Sequence, residues 1–227
     1  LADVPVPALS GGQAAHVALV RALAARPAVL IVDEPLAAVD VTSAERWRRF
    51  LHAARADRTT LLVTHDALDI AHLAQDMLVM ESGQVRAHGA TARLLEAPPT
   101  GFVAALAGLN RLEGTVTEIG ASAVEVACGD ITVLATTDHA SLTLGQEVAV
   151  TFDPHAATIG AAPEACNQWA ARVLAVEATS LAAAQLRVDL GGQEATVPVD
   201  REFALGVAVG NIVSLAISTA HVFAHPN

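Results

Sequence analysis

Lysine is absent from this chain of 227 residues, and its 13 basic side chains are all arginine. A phosphate-binding loop of the Gly-x-x-x-x-Gly-Lys-Ser/Thr type needs a lysine after its glycines, so no such loop is present. Leu1 is not an initiator methionine. The chain therefore reads as the C-terminal part of a longer protein whose front would hold that loop. Cysteine is scarce: Cys128 and Cys166 form no Cys-x-x-Cys pair. That argues against a cysteine metal site and fits a reducing cytoplasm. No apolar run approaches the ~20 residues needed to span a bilayer, and no signal peptide is visible. Any membrane role must pass through a partner. Positive charge is short in the second half, where residues 110–227 carry four arginines against 13 acids, net −9. Residues 1–109 carry nine against 11, net −2. So acidic a second half excludes nucleic acid as its partner. With 53% apolar residues the chain can still bury one or two cores.

The stretch that organises the chain is Leu9-Ser10-Gly11-Gly12-Gln13, running into the apolar segment from Val17 to Arg26. A Ser-Gly-Gly turn opening a helix leaves backbone N–H groups unpaired at the positive end of the helix dipole, where a phosphate can sit. A plain N-cap with no ligand is the bland alternative. Pro27 closes that helix, and Val29-Leu30-Ile31-Val32 has the length of a buried parallel strand. It delivers Asp33-Glu34-Pro35 to the carboxyl end of the strand, where open α/β sheets bind ligands. A second strand, residues 60–64, delivers His65-Asp66.

The order and spacing of these pieces resemble the ATP-binding subunits of ABC transporters. Residues 9–13 match the signature motif, residues 30–34 the Walker B strand, residues 37–40 the D-loop, and His65 the switch histidine. The resemblance implies ATP and Mg²⁺ as cofactors, with hydrolysis between two copies of the subunit arranged head to tail. It places Asp33 on the Mg²⁺, Glu34 on the attacking water, and His65 on the γ-phosphate and the base. Ser10, Gly11, Gly12 and Gln13 would reach the partner's nucleotide, and Asp40 would help lock the two copies. Ala14-Ala15-His16 departs from the usual polar and basic run after the signature, and Ala37-Ala38-Val39-Asp40 from the usual D-loop. His16, His52, His72 and His88 match no motif and read as surface or packing residues.

Thr42 with Glu45 three positions on looks like a capping box opening a helix through Trp47, Phe50 and Leu51. Arg46, Arg48, Arg49 and Arg55 read as its solvated face, with contact to another subunit as the sharper alternative. Residues 66–74 predict a short helix. A β-hairpin follows, turning at Glu81-Ser82-Gly83-Gln84, and then a last short helix over 91–96. Residues 98–110 read as a hinge between domains. Beyond them short strands are expected at 112–119, 123–126, 131–136 and 147–152. Others are expected at 170–176, 185–190, 194–199 and 212–217, a spacing that suggests a small barrel. An internal repeat runs through this half. Asn110-Arg111-Leu112 is echoed at Asn167-Gln168-Trp169, an offset of 57, and residues 144–148 at 209–213, an offset of 65.

The fold expected is thus α/β over residues 1–109, the C-terminal part of a P-loop ABC ATPase domain. An all-β, OB-like barrel domain of two lobes follows over 110–227. Two such lobes resemble the TOBE- and Mop-like regulatory domains of bacterial importers. Glu164-Ala165-Cys166-Asn167-Gln168 stands where molybdate- and tungstate-binding lobes open with Ser-Ala-Arg-Asn-Gln. Ile217-Ser218-Thr219 closes the last strand, which makes Asn167, Ser218 and Thr219 the candidate oxyanion donors. The resemblance implies an ATP-hydrolysing, energy-coupling subunit at the cytoplasmic face of the membrane. Its partners would be a second copy, the transmembrane permease and, through the permease, a periplasmic or lipid-anchored binding protein. A molybdate- or tungstate-type cargo is the first reading. Sugar, polyamine, iron or sulfate import with a purely structural barrel is the second. A non-enzymatic anion-binding or dimerisation module is the third.

Overall fold

The computed structural model describes residues 5–137, 142–160 and 166–226, with Cys166 described in its backbone only. The chain divides into two compact units between Ala92 and Arg93.

In the first unit, helix α1 (Gly11–Ala24) starts at Ser10, whose hydroxyl accepts from the Gln13 N–H. The Gln13 side chain returns the bond to the Ser10 N–H, so both residues of this capping box are occupied with each other. Strand β1 (Val29–Asp33) lies parallel to β2 (Thr59–Val63), with Asp33 opposite Val63. Helix α2 (Val41–Ala54) crosses between them. Its cap is Asp40, whose carboxylate accepts from Ser43 N–H at 3.0 Å. The Thr42–Glu45 box expected from sequence is not the cap, because the helix already begins at Val41. Helix α3 (Ala67–Leu73) is capped by Asp66. Strands β3 (Asp76–Glu81) and β4 (Gln84–Ala90) form the expected hairpin. Its turn uses Ser82 and Gly83 with φ of 51° and 75°, the left-handed pair a two-residue hairpin turn requires. Helix α4 (Thr91–Glu96) follows. Leu19, Leu30 and Leu51 form this unit's small core.

The second unit begins within helix α4 and continues with helix α5 (Gly101–Leu106), capped by Thr100. The hinge expected over 98–110 therefore contains a helical turn and a half, whose Val103 and Ala104 are buried. Strands then follow almost without interruption: β5 (Asn110–Ile119), β6 (Val124–Cys128), β7 (Ile131–Ala135), β8 (Glu147–Phe152) and β9 (Thr158–Ile159). The series repeats as β10 (Cys166–Ala178), β11 (Ala183–Leu190), β12 (Gln193–Asp200), β13 (Ile212–Ser218) and β14 (Val222–Pro226), with helix α6 (Arg201–Leu205) after β12.

Two five-stranded sheets result, ordered β14-β8-β5-β6-β7 and β12-β11-β10-β13-β9. Each lobe lends its last strand to the other: β9 pairs with β13, and β14 pairs with β8. Thr136, just past β7, bridges to Phe223 of β14, so the first sheet curls until its two edges meet. The fold is thus the mixed one expected, an α/β part followed by OB-like curled sheets. Burial alternates along β5 and β11, as expected of sheets with one face on a core. One continuous core takes residues from both sheets, among them Leu112, Val126, Val150, Val173, Leu186 and Leu215.

The internal repeat is structural. Strand β5 shifts register between Val116 and Glu118, and β10 between Val173 and Ala175, again 57 residues apart. Val116 N–H donates to Gln146 O and Val173 N–H to Asn211 O, which are 65 apart. The two middle hairpins, β6–β7 and β11–β12, are related by 62 residues, and their turns meet at Gly129 and Gly191.

Candidate functional site

The carboxyl ends of β1 and β2 carry the candidate chemistry. Glu34 stands one residue past β1 with its N–H still donating to Val63 O at 2.9 Å, so the parallel ladder runs one step beyond the strand. Its φ of 44° is left-handed, a strained setting for a residue with a side chain. This geometry turns the carboxylate across to the end of β2. There Glu34 Oε1 lies 2.6 Å from His65 Nδ1 and accepts the His65 N–H at 3.2 Å. The hydrogen bond from Glu34, then its charge, raise the His65 pKa above the ordinary 6.5. Asp33, at the end of β1, is exposed. The two residues expected to be catalytic are thus in direct contact.

The Ser-Gly-Gly turn forms a second cluster with residues 37–40. A Cβ on Gly12 would lie 2.7 Å from Ala38 O, so glycine is required there to let α1 approach that backbone. Ser10 and Gln13 bond each other, which leaves the Gly11 and Gly12 N–H groups as the orphan donors of this helix end. Asp40 caps α2, and the Ser43 N–H holds its carboxyl below the usual range.

In the second unit, Asn167 is buried. Its amide is directed at β7: Nδ2 donates to Leu134 O and Oδ1 accepts from Leu134 N–H, each at 2.8 Å. The strand register sets Asn167 beside Ile217 and Cys166 beside Ser218. Since side chains alternate, Asn167 and Ser218 face opposite sides of the sheet. Thr219 begins a short 3-10 turn. Glu164 and Ala165, compared above with the opening of oxyanion-binding lobes, lie outside the described residues, as does the Cys166 side chain.

Residues 1–37 match the ABC transporter family, and residues 163–224 match the TOBE domain. The front of the chain is thus similar to ABC transporters, and its end to TOBE domains. The molybdenum import ATP-binding protein ModC of Mycobacterium tuberculosis (strain CDC 1551 / Oshkosh) is 47% identical over 110 residues, 48% of this chain and 30% of that protein. The sulfate/thiosulfate import ATP-binding protein CysA 1 of Chromobacterium violaceum is 36% identical over 233 residues, 99% of this chain and 62% of that protein. This chain therefore spans 30% and 62% of the lengths of these relatives. Among solved structures, the cytoplasmic molybdate-binding protein ModG with molybdate bound aligns at 24% identity and a TM-score of 0.43. That alignment covers 52% of this chain and 96% of ModG.

Beyond its motifs, the first unit holds a buried ion pair that its sequence does not announce. Arg48, read there as part of a solvated face, is buried, with Nε 2.6 Å from Asp69 Oδ1 and a second contact of 3.4 Å to Asp66. Asp66 accepts from the Leu68 and Asp69 N–H groups, while Thr64 Oγ1 accepts from Asp66 N–H. The segment on both sides of His65 is thereby fixed to α2 and α3. The one available signal was Asp66 with Asp69 opening a short helix directly after the histidine. Among the described residues, no helix is long and apolar enough to cross a membrane.

Proposed function

We propose that the chain is part of the ATP-hydrolysing, energy-coupling subunit of an ABC importer. The contact of 2.6 Å between Glu34 and His65 carries this reading. A carboxylate and an imidazole in contact at the end of parallel strands can share a proton beside a nucleotide's terminal phosphate. Glu34 would orient and deprotonate the attacking water. His65, anchored by both its ring and its backbone N–H to Glu34, would hold that carboxylate in place and face the phosphate. The exposed Asp33 suits Mg²⁺, which keeps most of its waters and needs few protein carboxylates. When bound, the ion supplies positive charge against the phosphate oxygens. Gly11 and Gly12 would offer backbone N–H donors to the nucleotide of a second copy, with Ser10 and Gln13 holding the turn in shape. Asp40 would keep α2, and so the loop over Gly12, in register for that pairing.

The partners that follow are a second copy, transmembrane permease subunits and, through them, an external binding protein. The working position would be the cytoplasmic face of the membrane. We assign a molybdate- or tungstate-type oxyanion as cargo and as a regulatory ligand of the C-terminal lobes. Asn167, Ser218 and Thr219 are neutral donors suited to a dianion that must also be released. Because Asn167 and Ser218 face opposite sides of one sheet, a site that uses all three requires a second copy of the domain. Asp153 stands at the first-lobe position equivalent to Ser218, where its charge would repel an anion, so only the second lobe fits this role. The similarity to a sulfate/thiosulfate import protein along 99% of the chain supports the second reading, sulfate import with a structural barrel.

Comparing full-length protein with its Glu34→Gln variant tests the enzyme. Hydrolysis should fall ~10²–10⁴-fold with ATP binding retained, whereas wild-type turnover by the variant ends this reading. The 227-residue chain by itself should not turn over ATP, since it lacks a lysine-bearing phosphate loop. Calorimetry with molybdate, tungstate and sulfate then separates the two cargoes.

A further inference from the structure

One break in the repeat of the second unit coincides with a cleft. In the first lobe, the main chain of Glu113 on β5 points away from β8 and is met by the side chain of Gln193. Gln193 Oε1 accepts the Glu113 N–H at 2.7 Å, and Nε2 donates to Glu113 O at 2.8 Å. A primary carboxamide thus closes both hydrogen bonds of one strand residue, since its N–H and C=O lie on the same side.

The equivalent strand residue in the second lobe, 57 positions on, is Ala170. Val173 N–H donates to Asn211 O, and alternation along β10 then turns Asn167, Trp169 and Ala171 toward β13. Gln168 and Ala170 consequently present their main-chain N–H and C=O on the other side, and β11 begins to pair with β10 only at Arg172. The residue equivalent to Gln193, 62 positions before it, is Ile131, which has no group to offer. In place of the carboxamide there is an open cleft of about 750 Å³, lined by Ile131, Gln168, Ala170, Arg172 and the carboxylates of Glu125, Asp130 and Asp189.

We infer that this cleft binds a small primary carboxamide, held by the main chain of Ala170 as Gln193 is held by that of Glu113. Three carboxylates against one guanidinium at its wall select a ligand that also carries a cationic group, such as an amino acid with an amide side chain. An ammonium group would meet the carboxylates, and Arg172 would face a ligand carboxylate. A carboxylate in place of the carboxamide brings no N–H for Ala170 O and sets an oxygen against that carbonyl, so it should bind at least ~10-fold more weakly. The chemistry of this cleft is independent of ATP hydrolysis.

The test is NMR on the full 227-residue chain titrated with L-glutamine and L-asparagine, and with L-glutamate and L-aspartate as controls. Saturable shifts of the Ala170 and Gln168 amide signals with the amides, and at least ~10-fold weaker binding of the acids, are the expected result. Ile131→Gln supplies the missing carboxamide from within the chain. It should slow hydrogen exchange at Ala170 to the level seen at Glu113 and abolish the titration. Unmoved Ala170 and Gln168 signals at tens of millimolar amide, or equal binding of amide and acid, overturn the inference. So does unaltered binding by a folded Ile131→Gln protein. Should that variant not fold, the amide-against-acid comparison on the wild-type chain decides alone.

Discussion

Asn110 and Asn167, 57 residues apart, do the same structural work in opposite directions. Asn110 Nδ2 donates to Thr196 O at 2.8 Å and its Oδ1 accepts the Thr196 N–H at 2.7 Å, fastening β5 to β12. Asn167 makes the same two bonds to Leu134, fastening β10 to β7. Both amides are buried. Truncation leaves a strand N–H and C=O beneath a buried position without their partners, each such group costing ~1–3 kcal/mol. Asn110→Ala and Asn167→Ala should therefore destabilise by similar amounts, ~2–5 kcal/mol each. Urea unfolding of the two variants checks this. A neutral result at either position contradicts the paired-anchor role.

The two hairpin turns that meet at Gly129 and Gly191 leave no space for a side chain. A Cβ on Gly129 would lie 1.7 Å from Gly191 O, and φ there is 57°. Gly129→Ala should cost more than ~3 kcal/mol, since both backbone strain and overpacking contribute. Gly83, with a φ of 75° but open space around it, isolates the backbone part alone. Gly83→Ala should cost ~1 kcal/mol. Equal melting temperatures for the two variants would show that the contact between the turns is loose.

The Arg48–Asp69 pair predicts an asymmetry between partial and complete removal. Leaving one buried charge behind costs ~3–5 kcal/mol, so Arg48→Ala and Asp69→Ala should each be strongly destabilising. Replacing both with apolar residues of similar volume should recover much of that loss. Because Asp66 and Asp69 also set the segment after His65, Arg48→Ala should broaden or shift the His65 ring signals. Additive losses in the double variant would mean that the two charges are not coupled.

Most strands were legible because their signals are local. Residues 147–152 alternate and end at Asp153-Pro154, and Ser82-Gly83 writes its own turn. The repeat was legible as Asn110 and Asn167, although their use as anchors was not, since each bonds a strand of the other lobe. Strands β9 and β14 escaped notice for the same reason. Thr158–Ile159 is too short to show a period, and Val222–Pro226 contains a proline that demotes any strand reading. It can end as a strand here because Pro226 closes an edge strand. Arg48 looked solvated because a charged residue on a helix usually is. Only the fold brings Asp69, 21 positions away, to within 2.6 Å. Glu34 and His65 were legible singly, through their motifs, but their mutual contact was not.

That contact sets the last expectation. The Glu34 hydrogen bond and charge raise the His65 pKa above 6.5, so the folded state holds the proton more tightly than the unfolded chain does. The stabilising contribution is therefore fully present below pH 6.5 and fades as the pH rises through the folded value. Both groups are near solvent, and salt should weaken the effect. In an NMR pH titration the His65 ring should titrate above 6.5 in the wild-type chain. Glu34→Gln removes the charge while keeping a hydrogen-bond acceptor, so the midpoint should move back toward 6.5. Asp66, the lesser contributor, should move it less when changed to Asn. If His65 titrates at the same pH with and without the Glu34 carboxylate, the contact does not persist in solution. The carboxylate would then need another group to hold it beside the nucleotide.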